Sequence, residues 1–370
     1  MYNIDVKKGL ANRGNCHRLK KIMTKAMEGN DITVGFLGGS ITQGACSKTA
    51  ESCYAYLVYT WWKEKFSKSE IHFVNAGIGG TTSQFGVARV ESDLLKYSPD
   101  FVVTEFSVND ENSEHFLETY EGLIRKIFKN SREPAILIVN SVRYDDGGNA
   151  QEIHNRVGKY YSIPCVSMQS SIYPQIASGE ILNADITPDD LHPNDEGHAL
   201  MASVIMSFLE EIYLEIDKEE EASLFPEEPI TKNAYEDSTR YQNDWYSPVL
   251  EGFEPDLVPQ NHITEFFKKG WTAWKKGDTI KFFVEGTGIA VQFRKSINKP
   301  TPIAQVVVDG DAMNKIVLDG NFTEVWGDCL YLETITKHTE LKAHTVEITI
   351  VEASKEDVVP FYLVSVIGSK

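Results

Sequence analysis

The sequence predicts a three-layer α/β/α domain followed by an all-β domain of jelly-roll type, and three observations carry this. Short apolar runs alternate with helical periodicity up to about residue 216. An acidic, irregular stretch then interrupts the pattern. Beyond it come apolar runs of strand length, parted by Gly, Asp and Asn turns and almost without helical periodicity. At 370 residues the chain is also too long for one ordinary core.

The elements follow in order. ITVGFL (32–37) reads as a buried strand, and residues 48–66 as a helix with an aromatic and aliphatic face. IHFVNAG (71–77), a helix near Ser83 to Lys96, DFVVTEF (100–106), a helix over 117–129, and AILIVN (135–140) continue the alternation. A helix near Gln151 to Tyr161 and the strand IPCVSM (163–168) come next. Strands and helices at this spacing form parallel βαβ units. Over 200–216, Leu200, Val204, Phe208 and Ile212 make one stripe beside Met201, Ile205 and Leu209, and this helix closes a first domain of residues 1–216. Residues 217–248, with KEEEAS and FPEEP, read as an acidic linker. In 249–370, TIKFFVEG, GIAVQFRK, AQVVVDG, NKIVLDG, HTVEITIVE and FYLVSVIG are the strand-like runs of a β-sandwich.

With 42% hydrophobic and 24% charged residues the composition is globular. The excess of 54 acidic over 36 basic side chains, a formal charge of −18, repels phosphate backbones and anionic headgroups, so nucleic acid and membranes are excluded as partners. Neutral sugars and small esters meet no such barrier. Cys16, Cys46, Cys53, Cys165 and Cys329 are scattered, with no CxxC pair and no disulfide spacing, which fits a reducing compartment. No apolar stretch has the length of a signal peptide or a membrane span, and the expected location is cytoplasmic.

Four segments carry chemistry. The first strand stops on Gly38-Gly39-Ser40, where glycine lets other backbone or ligand approach a small hydroxyl. NAGIGGTT follows the second strand and can present a backbone N–H. SVND follows the third and offers the Asn109 amide. In DDLHPND, Asp189 stands three residues before His192, close enough to hold one ring nitrogen while the other faces the serine. Acyl transfer needs this set: a nucleophile, a base, an orienting group and oxyanion donors. Sites in open parallel sheets form beyond the carboxyl ends of the strands, where these turns lie. Taken singly, each segment has a plainer reading: Ser40 as a helix cap, Asn109-Asp110 as a cap for the following helix, His192 as a structural histidine, Asp189 or Asp190 as a cap for the last helix. A P-loop is excluded because Ser40-Ile41-Thr42 stands where Gly-Lys-Ser/Thr is required, and GIGGTT breaks the dinucleotide fingerprint at Thr82. The acids with His192 and His198 in DDLHPNDEGH fit a helix start, so no metal and no cofactor are expected.

The order Gly-Ser, Gly-Gly, Asn-Asp, Asp-x-x-His resembles the four blocks of the SGNH, or GDSL-type, hydrolase superfamily over roughly residues 30 to 215, and VNAGIGGTTSQFGVARV is similar to its second block. The resemblance implies a flavodoxin-like catalytic domain with Ser40 as nucleophile, His192 as general base and Asp189 as its orienting acid. It also implies an oxyanion hole from Ser40, Gly80 and Asn109. Two positions depart from the family pattern, Gly39 for the usual Asp and Ser107 for the usual Gly, and neither removes a catalytic group. With the second domain, the architecture resembles two-domain acetyl esterases of gut bacteria that deacetylate imported mannan oligosaccharides and carry a C-terminal carbohydrate-binding module. That resemblance implies an acetylated oligosaccharide as partner and a carbohydrate O-acetyl esterase working through an acetyl-serine. Its rivals are a lipase or thioesterase for longer acyl chains and a non-catalytic glycan-binding protein. Homo-oligomerisation is left open. Of the tryptophans in the second domain, Trp271 or Trp274 is expected in the core and Trp326 at the substrate.

Overall fold

A computed structural model describes residues 2–370 of the protein, which divides into two compact units, the first ending at Asn233 and the second running Ala234–Lys370.

The first unit contains strands β1 (Leu10–Asn12), β2 (Ile32–Gly38), β3 (Ile71–Gly77), β4 (Phe101–Glu105), β5 (Ala135–Asn140) and β6 (Cys165–Ser167). Its helices are α1 (His17–Met27), α2 (Ser40–Gln43), α3 (Tyr54–Lys65), α4 (Ser83–Asp93), α5 (Glu114–Phe128), α6 (Gln151–Tyr160), the short α7 (Met168–Ser171), α8 (Tyr173–Ala177) and α9 (Asn183–Ile186), and α10 (Asp195–Leu214). The strand order is β1-β6-β5-β4-β2-β3, parallel throughout except for β1 on the edge. Helices α1, α3 and α10 pack on one face and α4, α5 and α6 on the other. Covered on both faces, β4 and β5 are buried at every residue and β2 at all but Thr33, as a parallel sheet requires of near-continuous apolar runs. The three-layer reading is what the structure has.

One buried group ties the end of this sheet to α4. Arg89 of α4 is fully buried and donates to the carbonyl oxygens of Ala76 (2.7 Å) and Gly38 (3.0 Å) and to Asp93 (3.2 Å), so it clamps the ends of β3 and β2.

Two sequence expectations are corrected. The charged N-terminus, assigned no element, holds β1 and α1. In α1 the spacing Leu19, Ile22, Met23, Ala26 forms a buried stripe, and the charges that masked it lie elsewhere on the helix, apart from buried Lys20. The expected linker 217–248 is divided between the units. Its first half bonds to the first unit: Glu220 pairs with Lys20 and accepts the Cys16 N–H, and the buried Glu121 carboxylate accepts the N–H groups of Ile230 and Thr231. Its second half includes Thr239–Tyr241, a strand of the second unit.

That unit holds β7 (Thr239–Tyr241), β8 (Val249–Glu251), β9 (Glu254–Pro255), β10 (Trp271–Ala273), β11 (Thr279–Gly286), β12 (Gly288–Lys295), β13 (Ile303–Val308), β14 (Ile316–Asp319), β15 (Cys329–Thr336), β16 (Lys342–Glu352) and β17 (Phe361–Ser369). They form two antiparallel sheets, β15-β12-β17-β10-β9 with β7 also on β17, and β14-β13-β16-β11-β8. In β16 the residues His344, Val346, Ile348 and Ile350 are buried and their neighbours are not, the period of a strand with one face on a core. Trp271 is in that core; Trp274 is about half exposed. Of the described strands, β15 lies in a segment read only for its tryptophan.

Arg89→Ala removes the guanidinium donor from the Ala76 and Gly38 carbonyls, of which Gly38 keeps the Ile78 N–H, and is expected to lower the unfolding free energy by about 3 kcal/mol in urea denaturation. Arg89→Lys should recover only part of it, because an ammonium lacks the planar fork.

Candidate active site

β2 lies between β3 and β4, and the chain crosses from β2 to β3 through α3 on one face and from β3 to β4 through α4 on the other. This makes the carboxyl end of β2 the point where the crossovers diverge and a crevice opens. Ser40 stands there. It is the first residue of α2, with Gly39 as the N-cap, and its side chain does not cap the helix.

Three neighbouring loops are fastened around it. The loop after β3 is held by Gly79 N–H on Gln43 Oε1 (2.7 Å) and by Asn75 Nδ2 on the Thr42 carbonyl (2.8 Å). A side chain at Gly79 would come to 3.5 Å from Ser40 Cβ, so Gly79 borders the serine, and Gly80 follows with φ +68°, in the region that favours glycine. The loop after β4 brings Asn109 over Gly39: an added Cβ there would lie 2.4 Å from Asn109 Oδ1. The family's usual Asp at this position would require the Asn109 side chain to shift from where it stands beside Gly39. The other departure, Ser107, is buried and donates to the Ser141 carbonyl (3.1 Å).

The third loop comes from far along the chain. His192 Nε2 is 2.8 Å from Ser40 Oγ, and its Nδ1 is 2.7 Å from Asp189 Oδ2. Asp189 Oδ1 accepts the N–H groups of His192 (2.7 Å) and Leu191 (3.1 Å), which fixes the carboxylate beside the ring. Burial works to raise the Asp189 carboxyl, but the hydrogen bonds from the His192 ring and backbone outweigh it and hold it below its usual range. An ionised carboxylate only accepts, so Nδ1 carries the proton and Nε2 offers a lone pair to the serine hydroxyl. The left-handed Asp190 (φ +61°), whose carbonyl accepts the Tyr144 N–H (2.7 Å), turns the loop.

Ser40, Gly80, Asn109, Asp189 and His192 are thus brought together in the first unit. Trp326 belongs to the second unit, 61% exposed and edge-on to Phe322. His198 is a structural tie: fully buried, it accepts the Tyr54 N–H at Nδ1 (3.3 Å), faces the Ala45 carbonyl with Nε2 (3.3 Å), and burial pushes its imidazole down to about 4. The helix in which it lies is capped by Asn194 and not by Asp189 or Asp190.

Two residues escaped the sequence reading. Asp110 is a helix cap, but for α4 and not for the helix after it, where Ser113 serves. Its Oδ1 accepts Ser83 N–H (2.9 Å) and its Oδ2 meets His154 Nε2 (3.0 Å), both side chains being fully buried, so it joins the loops of Gly80 and Asn109. Glu105, at the end of β4, is buried under the site with its carbonyl on Gly39 N–H (3.2 Å), and burial pushes its carboxyl up to about 7. An acid closing the mostly apolar strand FVVTE was the available signal for Glu105.

The profile of the GDSL-like Lipase/Acylhydrolase family matches residues 36–200. Two solved structures of a two-domain esterase active on acetylated mannans, one co-crystallized with mannopentaose, are each 54% identical to this chain. They cover 100% of it and 99% of their own chains, with TM-scores of 0.96 for the mannopentaose crystal and 0.98 for the other.

The chain belongs to the GDSL-type, or SGNH, esterases.

More remote relatives of this esterase match just under half of it. Acetylxylan esterase of Geobacillus stearothermophilus is 24% identical over 208 residues, 49% of this chain and 93% of that protein. Thioesterase 1/protease 1/lysophospholipase L1 of Escherichia coli (strain K12) is 26% identical over 180 residues, 46% and 79% respectively.

In this GDSL esterase the raised Glu105 carboxyl makes stability depend on pH. The folded state keeps its proton between the usual 4.5 and about 7, where the unfolded chain releases it, so stability is lost as pH rises through that window. Glu105→Gln, which mimics the neutral carboxyl, should match the wild type near pH 4 and exceed it by up to about 3 kcal/mol above pH 8. Paired denaturation curves at the two pH values measure the difference.

Proposed function

We propose that this esterase removes O-acetyl groups from manno-oligosaccharides through an acetyl-serine intermediate. The hydrogen-bonded chain Ser40–His192–Asp189 supports the chemistry, and the full-length likeness to an esterase active on acetylated mannans supports the substrate.

In this reading Ser40 Oγ attacks the acetyl carbonyl while His192 Nε2 takes its proton. Asp189 holds the ring in the required tautomer and offsets the charge of the imidazolium. The oxyanion is met by the N–H groups of Ser40 and Gly80 and by the Asn109 side-chain amide. The sugar alkoxide leaves with the proton from His192. Water then repeats the sequence on the acetyl-serine and releases acetate.

The second unit is assigned to carbohydrate binding. Trp326 presents an exposed indole suited to the apolar face of a sugar ring, and the sandwich core leaves Trp274 half exposed as well. A cytoplasmic location belongs to the same proposal and rests on five cysteines that are all free thiols.

Ser40→Ala and His192→Ala are expected to lower acetate release from acetylated manno-oligosaccharides by at least about 10³-fold with unchanged circular dichroism, and Asn109→Ala by about 10²- to 10³-fold, mainly in kcat. Mass spectrometry of acetylated mannan fragments before and after treatment reads reaction and substrate together; intact acetyl groups would end the proposal. The Escherichia coli relative raises a second reading, hydrolysis of longer acyl esters or thioesters. Rates on p-nitrophenyl esters from acetate to octanoate separate the two: a fall with chain length favours the acetyl esterase. Trp326→Ala should weaken mannopentaose binding in calorimetry and leave p-nitrophenyl acetate hydrolysis unchanged.

A further inference from the structure

The loop after α2 turns sharply, with Gly44 at φ +97° and Cys46 at φ +65°, and it is bonded back to Ser40 through Gly44 N–H (3.1 Å) and Ala45 N–H (3.0 Å) on the Ser40 carbonyl. This turn brings the Cys46 thiol to the acid and the imidazole. One ligand atom from each of Cys46, Asp189 and His192 lies within 4.8 Å of the other two. Cys46 is exposed, is a free thiol, and has no part in the acyl-transfer scheme.

A thiolate, an imidazole and a carboxylate are the donors of tetrahedral zinc sites that keep a fourth position for water. The other such group among the described residues, Asp31, Glu70 and His72, has no sulfur and is wholly exposed. Sulfur and imidazole discriminate against Mg²⁺ and Ca²⁺, which take oxygen ligands. The fit needs only small movements. Bond lengths of about 2.0 to 2.3 Å put the ligand atoms of a tetrahedral zinc about 3.5 Å apart. The Nδ1 to Oδ2 separation of 2.7 Å therefore opens by somewhat under about 1 Å, and the exposed Cys46 side chain turns inward.

We propose that Cys46, Asp189 and His192 form an inhibitory site for a soft divalent cation, with Zn²⁺ as the probe. The consequence for activity rests on His192 being the base; the binding does not. On coordination the Cys46 thiol gives its proton to solvent and the metal takes the Nδ1 lone pair. The proton that Nδ1 held moves to Nε2, so the imidazole stays neutral. Nε2 then faces Ser40 as a donor and can no longer accept its proton. Thiolate and carboxylate together neutralise the cation. The site therefore switches off the reaction by fixing the wrong tautomer.

The experiment uses the full-length, metal-free protein. Zn²⁺ is titrated against p-nitrophenyl acetate hydrolysis, with Mg²⁺ and Ca²⁺ in parallel and chelator added at the end. Inhibition by Zn²⁺ alone, reversed by chelator, is expected. Cys46→Ser should keep the basal rate and raise the half-inhibitory Zn²⁺ concentration at least about tenfold. Independently, Co²⁺ added to the wild type should give a sulfur-to-cobalt charge-transfer absorption that Cys46→Ser lacks. Equal zinc sensitivity in Cys46→Ser, or the same cobalt spectrum in both proteins, overturns the proposal and leaves the esterase reading standing. A metal-free protein without esterase activity counts against the esterase reading, and the cobalt spectra still decide the metal site.

Discussion

The chemistry of the first unit depends on where β2 ends. Because β2 is bonded to β3 on one edge and to β4 on the other, the residues after these three strands emerge side by side. Parallel pairing makes this possible, since it sends all three carboxyl ends to the same rim of the sheet. Ser40, Gly79 with Gly80, and Asn109 are the outcome. None of them needs a long excursion to reach the others, and the sheet holds their relative positions as firmly as its own register.

The base arrives by a different route. His192 lies in a loop before α10, and nothing in the sheet register places it. Its position follows from α10 packing on α3 and from local ties: Asn194 caps the helix, His198 bonds to Tyr54 and faces Ala45, and Asp190 is held by Tyr144. A nucleophile on the sheet and a base on a helical loop are thus joined through the core of one face, where Trp62, Leu200 and Ile205 are fully buried.

Beneath the rim the protein places polar groups where an apolar core would have been simpler to build. Arg89 closes the ends of β2 and β3, Asp110 with His154 ties the loops of the second and third blocks, and Glu105 sits under Gly39. Buried polar groups are tolerated when they are hydrogen-bonded, and they then specify one arrangement among several of similar packing. His154 is also stacked on Tyr120, with ring centroids 3.6 Å apart. The second unit uses such groups as well: the buried Gln292 accepts from Ser365 (3.0 Å) and Arg240 (3.2 Å), and the buried His344 meets Asp309 (2.9 Å). In one sheet β16 alternates, with one face on the sandwich core, whereas β17 in the other is buried at every residue.

Read along the chain, the sequence by itself determined whatever short-range pattern encodes: the βαβ alternation, the change to antiparallel strands, and the four blocks with their serine, glycines, asparagine and histidine. Helix α1 stayed hidden because its lysines masked a stripe of Leu19, Ile22, Met23 and Ala26, and because Lys20 is buried by a partner, Glu220, about 200 positions away. Asp110 looked like a cap for the next helix, since proximity in sequence is the only proximity a sequence displays. Tertiary structure alone decided that Ser40 and His192, 152 residues apart, come within 2.8 Å, that Asn109 lies over Gly39, and that the Cys46 thiol lies within 4.8 Å of the acid and the imidazole. The reason is physical: periodicity and turn chemistry act over a few residues, whereas the meeting of side chains is set by strand order and helix packing, which bring distant segments to one rim.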